Sequence, residues 1–422
     1  MAGPTTITEL RSTLLQIPWR GAPPAAGVVP AGPRQIYMLE IETQGGLVGM
    51  SYLQPLRGGL QTIDACMKEL IAPHLIGRDA TEIEAIWQTL YKSNFWLGRM
   101  GVTVLAQSAV DMALWDIVGK RAGLPLFRLW GAARSEVPAY GSGCFRGLGR
   151  DGMIARAREF TAMGLKAIKM QVAHIRPWRE DVENVKAMRD ALGGGVEIMI
   201  DVNMGWDADT AIQAGRRIDE YDPYWLEEPV VAEDFAGYRR IAATLKTRVV
   251  GGESHFTRND LRPFFEAPHN VPILQPDPMR GGYSELRKIA AAAEPWGITI
   301  APHLFHEQMV HVLASIPNAS YLEYMDWNDD LWAEPLKPNK NGTMTPPERP
   351  GHGLAFKPEV LKDHKIGESR MTGVASAPAT AAPPVAAGQI AAVEIVGGTT
   401  ATQTQSAYAG NVGAAASPGG AG

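Results

Sequence analysis

The sequence predicts an α/β fold, a parallel (β/α) barrel preceded by an α+β domain. From Val137 to about Met325 short apolar runs (VPAYGSG, KAIKMQV, VEIMIDVN, YWLEEP, TRVVGGES, PILQPD, ITIAPH, SYLEYM) alternate with amphipathic stretches such as WREDVENVKAMRDAL and DADTAIQAGRRIDEY. That is the rhythm of βα units closing into a barrel. Upstream, strand-like runs precede helical ones, as in an α+β unit. A chain of 422 residues is too long for one ordinary domain and has room for a barrel and a second domain. A doubly wound open sheet is the rival architecture, less favoured because the run of short βα units is the rhythm of a closed barrel.

In chain order, residues 1–133 read as the α+β domain. A loop, IPWRGAPPAAGVVPAGP, is too rich in Pro and Gly for a helix. RQIYMLEIET and GLVGMSYL read as two strands joined by a Gly-Gly turn. Leu105, Ala109, Met112, Ala113 and Ile117 recur at helical spacing and predict a helix over Val102–Arg121. Residues 134–335 read as the barrel. From Met371 to residue 422 Ala, Gly, Pro, Thr and Ser dominate, and such a tail cannot bury enough surface to offset its ordering entropy; a short strand is expected at Ala391–Val396.

The formal net charge of −5 gives no basic field for nucleic acid or an anionic membrane. No run approaches the roughly 18 apolar residues of a membrane span. The opening MAGPTTITELRS lacks the basic and apolar regions of a signal peptide. Cys66 and Cys144 alone make no disulfide framework. A cytoplasmic protein is expected.

In a barrel the C-terminal ends of the strands converge on one mouth. The predicted strands end in Lys169 and Gln171, Asp201 and Asn203, Glu227 and Glu228, Glu253 and His255, Asp277, His303, and Glu323. Asp201, Glu227 and Glu253 fall one βα unit apart, so three adjacent strands bring a carboxylate to the same rim. Three clustered carboxylates repel unless a cation sits among them. Oxygen-only ligands with room for water and substrate suit Mg²⁺. Asp277 and His303 end neighbouring strands; the carboxylate orients the imidazole, which then titrates near neutral pH and moves a proton. Lys169 is placed to neutralise a substrate carboxylate. Glu323, if protonated, would donate a hydrogen bond from the far side. Together these parts describe removal of a proton next to a carboxylate.

AIKMQV, IMIDVN, WLEEP, VGGES, QPDPMRGG, APHLFHE and YLEYMD, with GMSYL, AVDMALWDIVGK and GLPLFRLWGA upstream, resemble the enolase superfamily and its mandelate racemase subgroup over about residues 5 to 360. The resemblance implies an α+β capping domain on a modified (β/α)₇β barrel, with residues 336–370 returning to the cap. It implies Asp201, Glu227 and Glu253 as ligands of one Mg²⁺, Asp277–His303 as the acid/base dyad, Glu323 as an electrophile, Asn203 beside metal and substrate, and Lys169 on the substrate carboxylate. It also implies a homo-oligomer. One position departs: the second lysine of the subgroup's K-x-K motif, the base on the opposite face, is Gln171 here, and Gln accepts no proton at working pH.

A one-base reaction therefore leads: dehydration of an acid sugar, an aldonate or aldarate, to a 2-keto-3-deoxy acid. Racemisation or epimerisation with a substitute base (His174, His255 or His306), cycloisomerisation, and a silent carboxylate-binding member remain as alternatives. Arg20, beside Trp19 in the Pro/Gly-rich loop, Tyr52 and Arg146 are candidates for the substrate pocket, with Gln171, His255 and His306.

Overall fold

The computed structural model describes residues 4–19, 32–56, 58–266 and 271–372. Arg20 and the expected strand at Ala391–Val396 lie outside them. The cap holds an antiparallel sheet of β1 (Ile7–Ile17), β2 (Arg34–Thr43) and β3 (Val48–Leu53). The barrel strands are β4 (Val137–Cys144), β5 (Ala167–Gln171), β6 (Glu197–Asp201), β7 (Trp225–Glu227), β8 (Arg248–Val250), β9 (Ile273–Leu274), β10 (Thr299–Ile300) and β11 (Leu322–Tyr324). β12 (Thr343–Met344) pairs antiparallel with β4, and β13 (Lys365–Thr372) joins the cap sheet, whose order is β13-β1-β2-β3.

β11 and β4 through β8 pair in parallel in sequence order, β9 pairs with β10, and single bridges Gly251–Leu274 and Ile300–Ala319 close the circle. Helical segments follow β4 to β10, ending with His306–Ser315, whereas β11 runs into a single 3₁₀ turn, Asp326–Asn328. The fold is thus the modified (β/α)₇β barrel with an α+β cap. Tyr140, Ala167, Met199, Trp225, Val250, Ile273 and Ala301, one from each of seven strands or strand ends, pack as the barrel floor.

The predicted helix is present over Val102–Ala122. It is long and apolar enough to cross a membrane by length and composition, but most of it is buried inside the fold. It packs under the cap sheet so closely that a Cβ on Gly49 of β3 would stand 2.1 Å from the carbonyl oxygen of Ala113. Cap and barrel form one compact unit. Arg34 of β2 is buried and pairs with Asp330, beyond the last barrel strand, at 2.7 Å.

Three strands were not foreseen: the two-residue β12, and the longer β1 and β13. β1 buries residues without clean alternation, so its sequence shows no period of two. β13 is a polar edge strand, KIGESRMT, mostly turned to solvent. It pairs with β1 from Thr13–Glu368 to Glu9–Thr372, so Met371 and Thr372 belong to the cap sheet rather than to the tail.

Candidate active site

Strand alternation builds the site. Ala167, Met199 and Trp225 lie in the barrel floor, so Lys169, Asp201 and Glu227, two residues further on, face the same interior. Gln171 pairs in register with Asp201, and Asp201 with Glu227, which sets the three side by side on adjacent strands. Above them a cavity of about 760 Å³ opens under the cap, lined by Lys169, Gln171, Asp201, Asn203, Glu253, Asp277 and His303 from the barrel. Trp19, Leu53, Ile63 and Leu105 line it from the cap.

Lys169 is buried, with Nζ 2.7 Å from Glu227 Oε1, 2.9 Å from Glu323 Oε1 and 3.8 Å from Asp201 Oδ2. Burial opposes its charge, but Glu227 and Glu323 outweigh burial and hold its pKa well above the usual lysine value. The same pairing corrects the expectation for Glu323. Burial pushes its carboxyl up, yet Lys169, His303 and the Leu304 N–H, which donates to Oε2 at 2.8 Å, hold it down at about 2. Glu323 is an ionised acceptor here and not a protonated donor.

His303 Nδ1 is 2.7 Å from Asp277 Oδ2, and Asp277 Oδ1 accepts from the Met279 N–H, so the dyad is held from both ends. Nε2 lies 3.6 Å from Glu253 Oε1. Burial disfavours the imidazolium, but Glu253 and Asp277 outweigh it and raise the pKa to about 10. A near-neutral value was expected from one carboxylate; the second, Glu253, makes the difference.

Asp201 accepts from the Asn203 backbone N–H at 2.9 Å and from Asn203 Nδ2 at 2.8 Å. Arg146 is buried and donates from Nη2 to Asn203 Oδ1, which fixes the amide's orientation; its Nε has no hydrogen-bond partner among the described residues. Gln171 Oε1 is likewise buried without a partner. His174 lines the same cavity, with Nε2 2.8 Å from the Asn203 carbonyl oxygen.

Three candidates are drawn elsewhere. Tyr52 donates its hydroxyl to Glu307, which also accepts from Trp332 at 3.1 Å, so it serves the joint between cap and barrel. His306 Nδ1 faces the same Glu307 at 3.3 Å. His255 is buried against Phe235 and Phe264, with Nε2 3.0 Å from the Ala232 carbonyl oxygen. None of the three lines the cavity. Residues to which sequence reasoning gave no role do line it: Glu228, Arg280 and Trp327. The doubled glutamate of WLEEP was the available signal for Glu228, but strand alternation argues that it points away.

The donor chemistry suits a hard divalent cation, although among the described residues no three acidic, His or Cys side chains converge closely enough in this structure to ligate one. Asp201, Glu227, Glu228 and Glu253 offer only carboxylate oxygens, and burial pushes Glu253 and Glu228 up to about 7. Both oxygens of Glu228 are buried without a hydrogen-bond partner among the described residues. Carboxylates so crowded and dry favour either protonation or a cation.

A capped (β/α)₇β barrel whose strand ends gather these acids beside a buried lysine and a His–Asp pair defines the enolase-superfamily class. The family described as Enolase C-terminal domain-like matches residues 152–360, and the Mandelate racemase / muconate lactonizing enzyme, N-terminal domain, matches residues 12–131. The 3,6-anhydro-alpha-L-galactonate cycloisomerase of Streptomyces coelicolor is 35% identical over 79% of this chain and 92% of its own length. The L-talarate/galactarate dehydratase of Salmonella typhimurium is 36% identical over 76% of this chain and 80% of its own. Among solved structures, L-talarate dehydratase from Polaromonas sp. JS666, complexed with Mg and L-glucarate, superposes with a TM-score of 0.79 at 32% identity, covering 87% of this chain and 99% of that one. The chain belongs to the mandelate racemase/muconate lactonizing enzyme family of the enolase superfamily.

Proposed function

We propose that the protein is an Mg²⁺-dependent acid-sugar dehydratase, which removes the α-proton of an aldonate or aldarate and expels the β-hydroxyl as water to give a 2-keto-3-deoxy acid. The observation that carries the reading is the pairing of an Asp-backed His303 with a Gln171 that cannot act as a base, both on the cavity that holds the acidic wall. Asp201, Glu227 and Glu253 would hold Mg²⁺, which would supply positive charge to the substrate carboxylate and relieve the pull of Glu253 on the His303 proton.

Lys169 adds a second positive charge for the same carboxylate, in a water-poor site where it counts most. Asn203, oriented by Arg146 and Asp201, presents an amide to the α-hydroxyl, and Gln171 and Arg146 bind hydroxyls further along the chain. His303, once neutral, takes the α-proton and returns it to the departing β-hydroxyl, so that one residue is base and then acid. The C–H and C–O bonds that break yield an enol and water, and the enol tautomerises to the ketone. A cytoplasmic location is read from charge and cysteine content and the homo-oligomeric state from the family resemblance; light scattering tests the second.

A relative named as a cycloisomerase, 35% identical, favours a second reading, ring opening or closure started from the same single base. A library of aldonic and aldaric acids and their lactones, assayed for 2-keto acid, separates the two. Accumulation of 2-keto-3-deoxy acid supports the dehydratase. Isomerised product without 2-keto acid replaces it with the cycloisomerase.

A further inference from the structure

Glu228 is the residue that strand geometry places on the wrong side. Glu227 already faces the barrel interior, where its oxygens bind Lys169 at 2.7 Å and the Trp225 indole N–H at 2.9 Å. A regular strand would turn the next side chain outward. Glu228 instead has a φ of +39°, in the left-handed region that costs a glutamate conformational energy. The turn brings a second consecutive carboxylate to the cavity wall, beside Asp201 and Glu253. There Glu228 is fully buried, and neither oxygen meets hydrogen-bond geometry with a partner among the described residues. The neighbouring Ser254 hydroxyl, 3.9 Å from the Met204 sulfur, lies near enough to lower the Glu228 pKa, but burial outweighs it.

A buried carboxylate with both oxygens unsatisfied is costly unless something arrives to satisfy it. We infer that Glu228 is a positioning residue of the metal site, accepting hydrogen bonds from water in the ion's coordination shell. This rests on the proposed Mg²⁺ site. Asp201, Glu227 and Glu253 already fill the proposed ligand set, which leaves Glu228 to act through water. Mg²⁺ also keeps several waters when it binds protein, and groups that hold such waters tune affinity.

The test is Mg²⁺ titration of the full, substrate-free protein by calorimetry, comparing wild type, Glu227→Gln and Glu228→Gln. Glu228→Gln keeps the shape and one acceptor but loses the charge. It is expected to bind one ion with Kd weakened roughly 10- to 100-fold, while its melting temperature in EDTA does not fall. Glu228→Asp is expected to retain more affinity than the Gln variant. A Glu228→Gln Kd within twofold of wild type overturns the inference and leaves the proposed function standing, provided Glu227→Gln weakens binding. Abolished binding in Glu228→Gln with wild-type binding in Glu227→Gln makes Glu228 a direct ligand and also overturns it. No Mg²⁺ binding by wild type at 10 mM overturns the proposed function itself. If Glu228→Gln folds poorly, Glu228→Ser is read by the same criteria.

Discussion

Truncating the chain after Gly367 removes Glu368 to Thr372, five residues of β13 that pair in register with β1 from Thr13 back to Glu9. Met371, 9% exposed, loses a burial that stabilises by about 1.5 to 3 kcal/mol. Ser369 loses its hydrogen bond to Asp64 Oδ2 at 2.8 Å, a net contribution of about 1 kcal/mol. At an unfolding entropy of roughly 2 cal/mol/K per residue, a folded unit of this length shifts by about 1 to 2 °C per kcal/mol. The cut at Gly367 should therefore lower the melting temperature by roughly 3 to 8 °C, and it leaves β1 as a bare edge prone to association. A cut after Thr372 spares every one of these contacts and should leave the melting temperature unchanged. Differential scanning calorimetry of the two truncations beside the full chain reads the contrast. Equal melting temperatures for both cuts would refute the docking of β13 as a stabilising contact.

Further outcomes follow from particular contacts. His303→Asn should reduce turnover by about 10² to 10⁴, and Asp277→Asn by less, with circular dichroism unchanged in both; wild-type turnover in His303→Asn would remove it as the base. His311 is buried, with Nε2 donating to the His352 carbonyl at 3.0 Å and Nδ1 accepting from the Phe127 N–H at 3.4 Å, so a second ring proton would face a donor. Burial lowers its pKa from 6.5 to about 4, so the unfolded chain takes the proton first. Stability present above pH 6.5 is then lost as pH falls toward 4, by up to about 3 kcal/mol. Urea denaturation across that range should show this slope, and His311→Gln should flatten it. Chelation should abolish turnover and Mg²⁺ restore it, as steady-state assays would show; undiminished activity in EDTA contradicts the metal requirement.

Much of the site is legible because a barrel sends strand ends to one place, so a residue's position on its strand fixes its destination. Lys169, Gln171, Asp201, Glu253, Asp277 and His303 all reach the cavity wall. What was hidden depends on partners distant in sequence. Tyr52 reaches Glu307 only when cap and barrel dock. The charge states of His303 and Glu323 depend on Glu253 and Lys169, which come from other strands. Glu228 enters through one backbone angle that the sequence does not display. In the fold, the short βα rhythm survives as strands of two to five residues from β5 onward, whereas β1 and β13 lack a periodic signal and β13 finds β1 more than 350 residues away in the chain.

The most direct test of the central claim is reaction in D₂O with Mg²⁺ and an acid sugar that the enzyme turns over, following deuterium by NMR. One-face abstraction by His303 predicts deuterium at the α-carbon of recovered substrate only with retained configuration, no epimer, and loss of all exchange in His303→Asn. Exchange that yields both epimers at comparable rates would contradict it and place a second base, His174 foremost, on the side of Gln171.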